Sequence, residues 1–472
     1  MQENSDDVTR PSRPAATAGA VRPRRWALLV PLASILLIGG LMRLAPASEN
    51  PRERASDKPE RPRTAAAGRA TCPDGPRVPT PVDDPPSRLL RLLEQEASHP
   101  EFTRRRSSIS IWIEGYGEVL AHNAEQELVP ASNQKLLTAA GALILLPPSG
   151  RLTTRVAYTG RIDDTGTLHG DLYLIGGGDP TLMRTGEHSL EELASRVARA
   201  GLRRVKGRLL GDESRYDDTR KASGWLYWQQ PVPGGVLSAL MVNGNQRIGT
   251  REYLTDPTVH NTRLFLEALE RAGVEVEGEA TEGVAPDSAE DLIGLDSPTF
   301  AEMVRTMLKQ SDNMIAEMLV KEIGLRSRGA GSTVEGLRAI REAVERDLCL
   351  APLGGADDDG SGISRSDRRS ARRWRELLQL AGTRPWGRTL YEGLPVAADE
   401  DGTLKRRFHD TPAAGNVRAK TGSTGVAQAL SGTGRTAQGR RFWFSILVNG
   451  DQPKSAAPAI DRLVAAVAGW RE

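Results

Sequence analysis

Three short segments of this chain carry side chains that could do chemistry together. Ser132-Asn133-Gln134-Lys135 sets a hydroxyl and an amine three residues apart, so a helix would turn both to one face. A serine hydroxyl is a poor nucleophile until a base takes its proton. A buried lysine can be that base, because desolvation lowers its pKa and leaves some amine neutral. The N-terminus of the same helix offers backbone N–H groups to a developing oxyanion. Ser311-Asp312-Asn313 adds a second hydroxyl, able to relay a proton to a leaving amine, and an amide able to hold a substrate amide and orient Lys135. Lys420-Thr421-Gly422 supplies a cation and a hydroxyl suited to a substrate carboxylate, beside a glycine that lets a substrate backbone lie close. Together these are the parts of nucleophilic acyl transfer.

Taken singly, the segments read as a helix cap, a loop and a turn. Average serine and lysine frequencies place an SxxK about once by chance in a chain this long. SxN is weaker still, since Ser48-Glu49-Asn50 also matches. The order of the three and the pattern around each carry the assignment. Ser132 immediately precedes LLTAAGALILL, apolar nearly all round and therefore a buried helix, ended by Pro147-Pro148. Ser311 lies in a polar break before the apolar MIAEMLV, and Lys420 lies on an expected strand, Asn416 to Thr421.

The elements around them define the fold class. Leu89, Leu90, Leu92 and Leu93 give a helix pattern over 86–98, and Ile109, Ile111 and Ile113 alternate as a strand does. Near the C-terminus, runs 427–434 and 442–448 follow the Lys420 strand. Phe442, Phe444, Ile446 and Val448 share one face, and Ile460, Leu463, Val464 and Val467 recur at helical spacing. The pattern predicts an α+β unit, an antiparallel sheet flanked by helices and built from both ends of the chain, 86–154 and 291–472. Residues 155–290 alternate short strands (DLYLIGGGD, RRVKGRLLGD) with amphipathic helices (SLEELASRVARAG, TRLFLEALERAG) and read as an inserted smaller α/β domain. Gly176-Gly177-Gly178 runs into Asp179-Pro180 rather than a helix, so it is a turn rather than a phosphate cradle.

The apolar run Trp26–Met42 follows Arg22, Arg24 and Arg25, which reads as a signal segment or a transmembrane anchor with residues 1–25 as a cytoplasmic basic tail. Ala45-Pro46-Ala47 resembles a cleavage site, and residues 43–85, rich in Pro, Arg, Ala and Asp, read as a flexible stalk. The formal net charge of +2 and 4% aromatic content argue against nucleic acid as a partner. Six scattered histidines (His99, His122, His169, His188, His260 and His409) and two distant cysteines give no metal-ligand spacing, so no metal and no cofactor is expected. In an exported protein Cys72 and Cys349 could pair; unpaired thiols are the other reading.

The ordered motifs resemble those of the penicillin-recognising serine enzymes. Over about 86–470 the chain resembles the class C low-molecular-mass penicillin-binding proteins, the DacB-type D-alanyl-D-alanine carboxypeptidases and endopeptidases. LIGGGDPTL (174–182), LLGDESRYDD (209–218), DGSGISR (359–365) and GNVRAKTGSTG (415–425) add to the likeness. That family carries a large insertion between its first two motifs, and the stretch from Ser132 to Ser311 accommodates one. A class A β-lactamase has a far shorter gap. The resemblance implies a DD-peptidase/β-lactamase-like domain with Ser132 as the acylated serine and Lys135 as its base. Ser311 and Asn313 would form the second element, and Lys420 and Thr421 would bind the terminal carboxylate. The backbone N–H groups of Ser132 and Ser423 would make the oxyanion hole. Many relatives have Thr where Ser423 stands, and the hydroxyl survives. DGSGISR reads as a glycine turn at the site's edge, outside the catalytic set. The implied partners are D-Ala-D-Ala stem peptides of peptidoglycan and, as covalent inhibitors, β-lactam antibiotics, acting outside the cytoplasm. A β-lactamase and a non-catalytic peptidoglycan-binding module are the alternative functions.

Overall fold

Both ends of the described chain meet in one sheet. Strand Arg106–Ile113 pairs antiparallel with Arg441–Asn449 along its whole length, and the five-stranded order is 418–423, 427–435, 441–449, 106–113, 117–122. The computed structural model describes residues 78, 80–222, 224–225, 235–247, 249–250, 252–350 and 352–471, all within one unit, 67–472. The expected basic tail, the apolar run 26–42, and Cys72 lie outside the described residues. Among the described residues no helix is long and apolar enough to cross a membrane.

Period-two alternation sends successive side chains to opposite faces of this sheet. Ile109, Ile111, Ile113, Phe442, Phe444, Ile446 and Val448 meet Leu89 and Leu93 of helix Ser87–Ala97 and Ile460, Leu463, Val464 and Val467 of helix Ala457–Ala468. Trp112, Ala429, Trp443 and Leu447 face the other way, onto helices Lys135–Leu145, Phe300–Gln310, Asn313–Arg328, Thr333–Leu348 and Ala371–Ala381. Each large apolar side chain so buried contributes roughly 1.5–3 kcal/mol. Helix Lys135–Leu145 is the innermost element, with every residue from Lys135 to Leu143 buried. The folded part starts before residue 86, for Val82 and Asp83 N–H donate to Gly115 O (2.9 and 3.0 Å) and Asp83 pairs with Arg440 (2.9 Å). The last residues of the expected stalk are therefore fixed to a β-turn of the sheet.

A second five-stranded sheet lies in the chain between Ser132 and Ser311, in the order 280–282, 209–212, 172–175, 153–158, 290–296. Its three parallel strands are joined through helices Leu190–Arg199 and Pro257–Arg271, because a parallel pair requires a crossover. Val156, Leu174, Leu193, Val197, Leu209, Phe265 and Leu269 form its own core. Strands Thr153–Tyr158 and Glu290–Asp296 pair antiparallel and straddle positions 155 and 290. Cys349 is disulfide-bonded.

Candidate active site

Ser132 sits in a single 3₁₀ turn, Ala131–Gln134, that leads into helix Lys135–Leu145. The turn is held from several sides. Asn133 Nδ2 donates to Ser431 Oγ (2.5 Å), which bonds Ser445 Oγ (2.7 Å) on the next strand. Gln134 Nε2 donates to Asp357 Oδ1 (2.8 Å). Just upstream, Asn449 clasps the Val129 backbone through both its amide atoms (2.8 and 3.0 Å). Ala131 adopts φ +48°, a left-handed conformation that a residue with a Cβ holds only when its surroundings over-determine it. Strain of this kind gathers at functional turns.

Gly422 explains how the Ser132 turn comes so near the edge strand Arg418–Ser423. A Cβ there would lie 2.9 Å from Pro130 O and 3.1 Å from Ala131 Cβ. On the side a Cβ would take, Gly422 makes room for the chain's own Pro130-Ala131.

Lys135 Nζ, fully buried, lies 3.2 Å from Ser132 Oγ, 2.7 Å from Asn313 Oδ1 and 2.6 Å from Ser361 O. The last two can only accept. A neutral amine that gives its two N–H bonds to them leaves its lone pair for the Ser132 hydroxyl. Burial lowers the Lys135 pKa from 10.5 to about 8, while Asp359, Glu317, Asp312 and Asp367 pull it back upward. Glu317 is itself buried and pushed up, by desolvation first and by Asp359 second.

Ser311 ends helix Phe300–Gln310 in a left-handed conformation (φ 62°), and Asp312 caps the next helix by accepting from Ile315 N–H (2.8 Å). This abrupt change of direction puts Asn313 at the first turn of its helix and Ser311 beside Lys420, whose Nζ donates to Ser311 Oγ (2.9 Å) and to Thr421 O (2.8 Å). Burial, with the Lys135 charge, holds the Lys420 pKa well below its usual value. Thr421 Oγ1 bonds Thr403 Oγ1 (2.7 Å) near the surface. Ser423 is exposed at the end of the edge strand, paired in register with Gln428. Among the described residues no cluster of metal-ligating side chains forms.

Two groups were not visible as site residues. Glu317 lies one helical turn beyond Asn313, and an acid inside the apolar MIAEMLV was a signal that it faces something polar. Ser361 belongs to DGSGISR, and its carbonyl contributes, which no side-chain motif can reveal.

Residues 91–252 and 240–468 match the D-Ala-D-Ala carboxypeptidase 3 (S13) family. The chain belongs to this family. It is a serine-type D-Ala-D-Ala carboxypeptidase. A D-alanyl-D-alanine carboxypeptidase of Actinomadura sp. (strain R39) is 31% identical over 413 residues, covering 71% of this chain and 75% of that protein. The carboxypeptidase DacB of Mycolicibacterium smegmatis is 28% identical, covering 94% and 98%. The fold matches penicillin-binding protein 4 (dacB) of Haemophilus influenzae with a TM-score of 0.69 at 19% identity, covering 81% of this S13 chain and 99% of that one.

Proposed function

We propose that Ser132 Oγ attacks the carbonyl of the penultimate D-alanine of a peptidoglycan stem peptide. Lys135 takes the hydroxyl proton as the Oγ–C bond forms. The backbone N–H groups of Ser132 and Ser423 hold the oxyanion. The C–N bond then breaks, and the departing D-alanine amine takes its proton through Ser311, refilled from Lys420. A substrate carboxylate beside Thr421 favours the charged form of Lys420, and Asn313 holds the donor amide. Lys135 gives its proton to solvent and Lys420 regains one from solvent; Lys135 then removes a proton from an attacking water and passes it to Ser132 Oγ as the Oγ–C bond breaks, releasing the shortened peptide. The carrying observation is the Lys135 amine 3.2 Å from Ser132 Oγ, with its two other contacts both to acceptors.

A β-lactam presents the same carbonyl, but its cleaved amine stays tethered and the acyl-enzyme persists. Relatives bear on this: one solved Haemophilus influenzae penicillin-binding protein 4 is complexed with a β-lactam. Incubation with fluorescent penicillin tests the reading, and a folded sample with no covalent adduct on Ser132 sinks it. Fast repeated turnover of a chromogenic cephalosporin would make the chain a β-lactamase instead. The same acyl transfer would open D-alanine cross-links, and digestion of free pentapeptide against crosslinked dimer measures that share. Peptidoglycan lies outside the cytoplasm, and in this reading residues 26–42, behind their arginines, carry the chain to it as signal or anchor. Residues 155–290 act as a separate inserted domain, supported by their own sheet and core.

A further inference from the structure

The turn DGSGISR has no side chain in the proposed reaction, yet it is built around a charge. Asp359 is fully buried. Its Oδ1 accepts from Ser361 N–H (3.1 Å) and Gly362 N–H (2.5 Å), and its Oδ2 from Ser364 N–H (2.7 Å) and the Trp225 indole N–H (2.7 Å). Four donors on one carboxylate fix the path of the loop, since each is a charge-assisted bond in a dry setting. The loop is pinned on its other side as well. Gly360 N–H donates to Glu317 (3.1 and 3.2 Å), and Thr138 Oγ1 donates to Gly360 O (2.7 Å). Gly362 has φ +81°, and a Cβ there would fall 1.9 Å from Ala131 O, so the loop rests directly on the turn that carries Ser132. From this path the Ser361 carbonyl reaches Lys135 Nζ.

Trp225 comes from the long segment between the first two motifs, and that segment is docked where it matters. Gly224 N–H donates to Asp358 Oδ2 (2.8 Å). Tyr216 Oη donates to Glu322 (2.8 Å), and Lys321 donates to Thr219 O (3.0 Å) and pairs with Asp217. Glu322 and Lys321 belong to helix Asn313–Arg328, the helix that also carries Asn313 and Glu317. Trp225 packs with Met314 and Met318 of that helix.

We infer that Asp359 is a positioning residue for the reaction: its carboxylate folds residues 359–364 so that the Ser361 carbonyl aims the Lys135 amine at Ser132, and Trp225 of the inserted segment completes its set of donors. The inference rests on Lys135 being the base. Without the Ser361 acceptor, the amine has only Asn313 to fix its rotation, and its lone pair no longer faces the hydroxyl. The groups that face Lys135 electrostatically are Asp359, Glu317, Asp312, Asp367 and Lys420.

The test uses the full chain with Asp359→Asn and Trp225→Phe, measuring the acylation rate constant by fluorescent penicillin, the number of sites finally labelled, and the pH profile. Misaiming a reacting group by about 1 Å slows a reaction roughly 100-fold, the loss expected for Asp359→Asn. Loss of one bond to a charged acceptor gives about 10-fold, the loss expected for Trp225→Phe. Both variants should still label one site per chain. The acid limb should move to lower pH in Asp359→Asn, which removes a negative charge facing Lys135, and stay in place in Trp225→Phe. Wild-type rate constants in the labelled fraction would overturn the inference, whatever fraction is folded. If Asp359→Asn does not fold, Trp225→Phe decides alone: an unchanged rate constant overturns the inference. Lys135→Ala separates the two levels. If it still acylates at the wild-type rate, the base assignment has failed. If it is inactive beside unaffected Asp359→Asn and Trp225→Phe, only the positioning role has failed.

Discussion

Acylation of Ser132 should switch on with pH through the titration of Lys135. Lys135 is fully buried, and burial takes its pKa from 10.5 to about 8 against the upward pull of four facing carboxyl groups. A shift of this size corresponds to about 3 kcal/mol favouring the neutral amine. The base must be neutral to accept a proton. At pH 8 about half of it is neutral and at pH 7 about a tenth, against roughly one part in three thousand for an unshifted lysine at pH 7. The acylation rate constant should therefore rise about tenfold per unit from pH 6 to pH 7, bend near 8 and stop rising by pH 9 to 10, where Lys420, its own pKa lowered by burial, loses the proton it relays to the leaving amine. Quenched-flow labelling with fluorescent penicillin, with a melting curve at each pH, measures it. A rate constant flat from pH 6 to 9, or one still climbing tenfold per unit at pH 10, would refute the assignment of Lys135 as the buried base.

Three further outcomes follow from neighbouring contacts. Asn313→Ala removes the acceptor 2.7 Å from Lys135 Nζ and should slow acylation about 100-fold with little change in melting temperature. Gly422→Ala forces a Cβ against Pro130 O and Ala131, and should destabilise the fold by about 1–3 kcal/mol in denaturant titration while slowing acylation, because the turn that must move carries Ser132. Glu317 has its pKa raised above 4.5, so the folded state binds a proton that the unfolded chain has released. The stability this gives is whole below about pH 4.5 and is lost as pH rises through the raised value. Glu317→Gln should remove that slope, leaving the variant more stable than the parent at pH 9 but not at pH 5, as melting temperatures would read.

The parts of the site that sit in short segments were legible because their spacing is local. Ser132 and Lys135 share a helix start, Lys420 and Thr421 a strand, and the alternation of Ile109, Ile111 and Ile113 against Phe442 to Val448 foretold a sheet closed by both chain ends. What spacing cannot express is a contact made by backbone or across sequence-distant elements. The Ser361 carbonyl on Lys135 and the Trp225 indole on Asp359 are of this kind. Gly422 reads in sequence as space left beside a strand; that Pro130 and Ala131 occupy its Cβ side depends on a distant segment. Glu317, Lys321 and Glu322 are all buried on a helix of which the sequence pattern showed only one apolar run, MIAEMLV. Their partners, Gly360, Asp217 and Arg215, come from distant stretches of chain.

Everything in the reaction turns on which atom is acylated. Fluorescent penicillin labelling followed by peptide mass spectrometry, run on the parent chain, Ser132→Ala and Lys135→Ala, measures it. The predicted result is one adduct per chain on the peptide containing Ser132, none in Ser132→Ala, and labelling slowed at least 100-fold in Lys135→Ala with the fold intact. An adduct on any other serine, or undiminished labelling of folded Ser132→Ala, would contradict it.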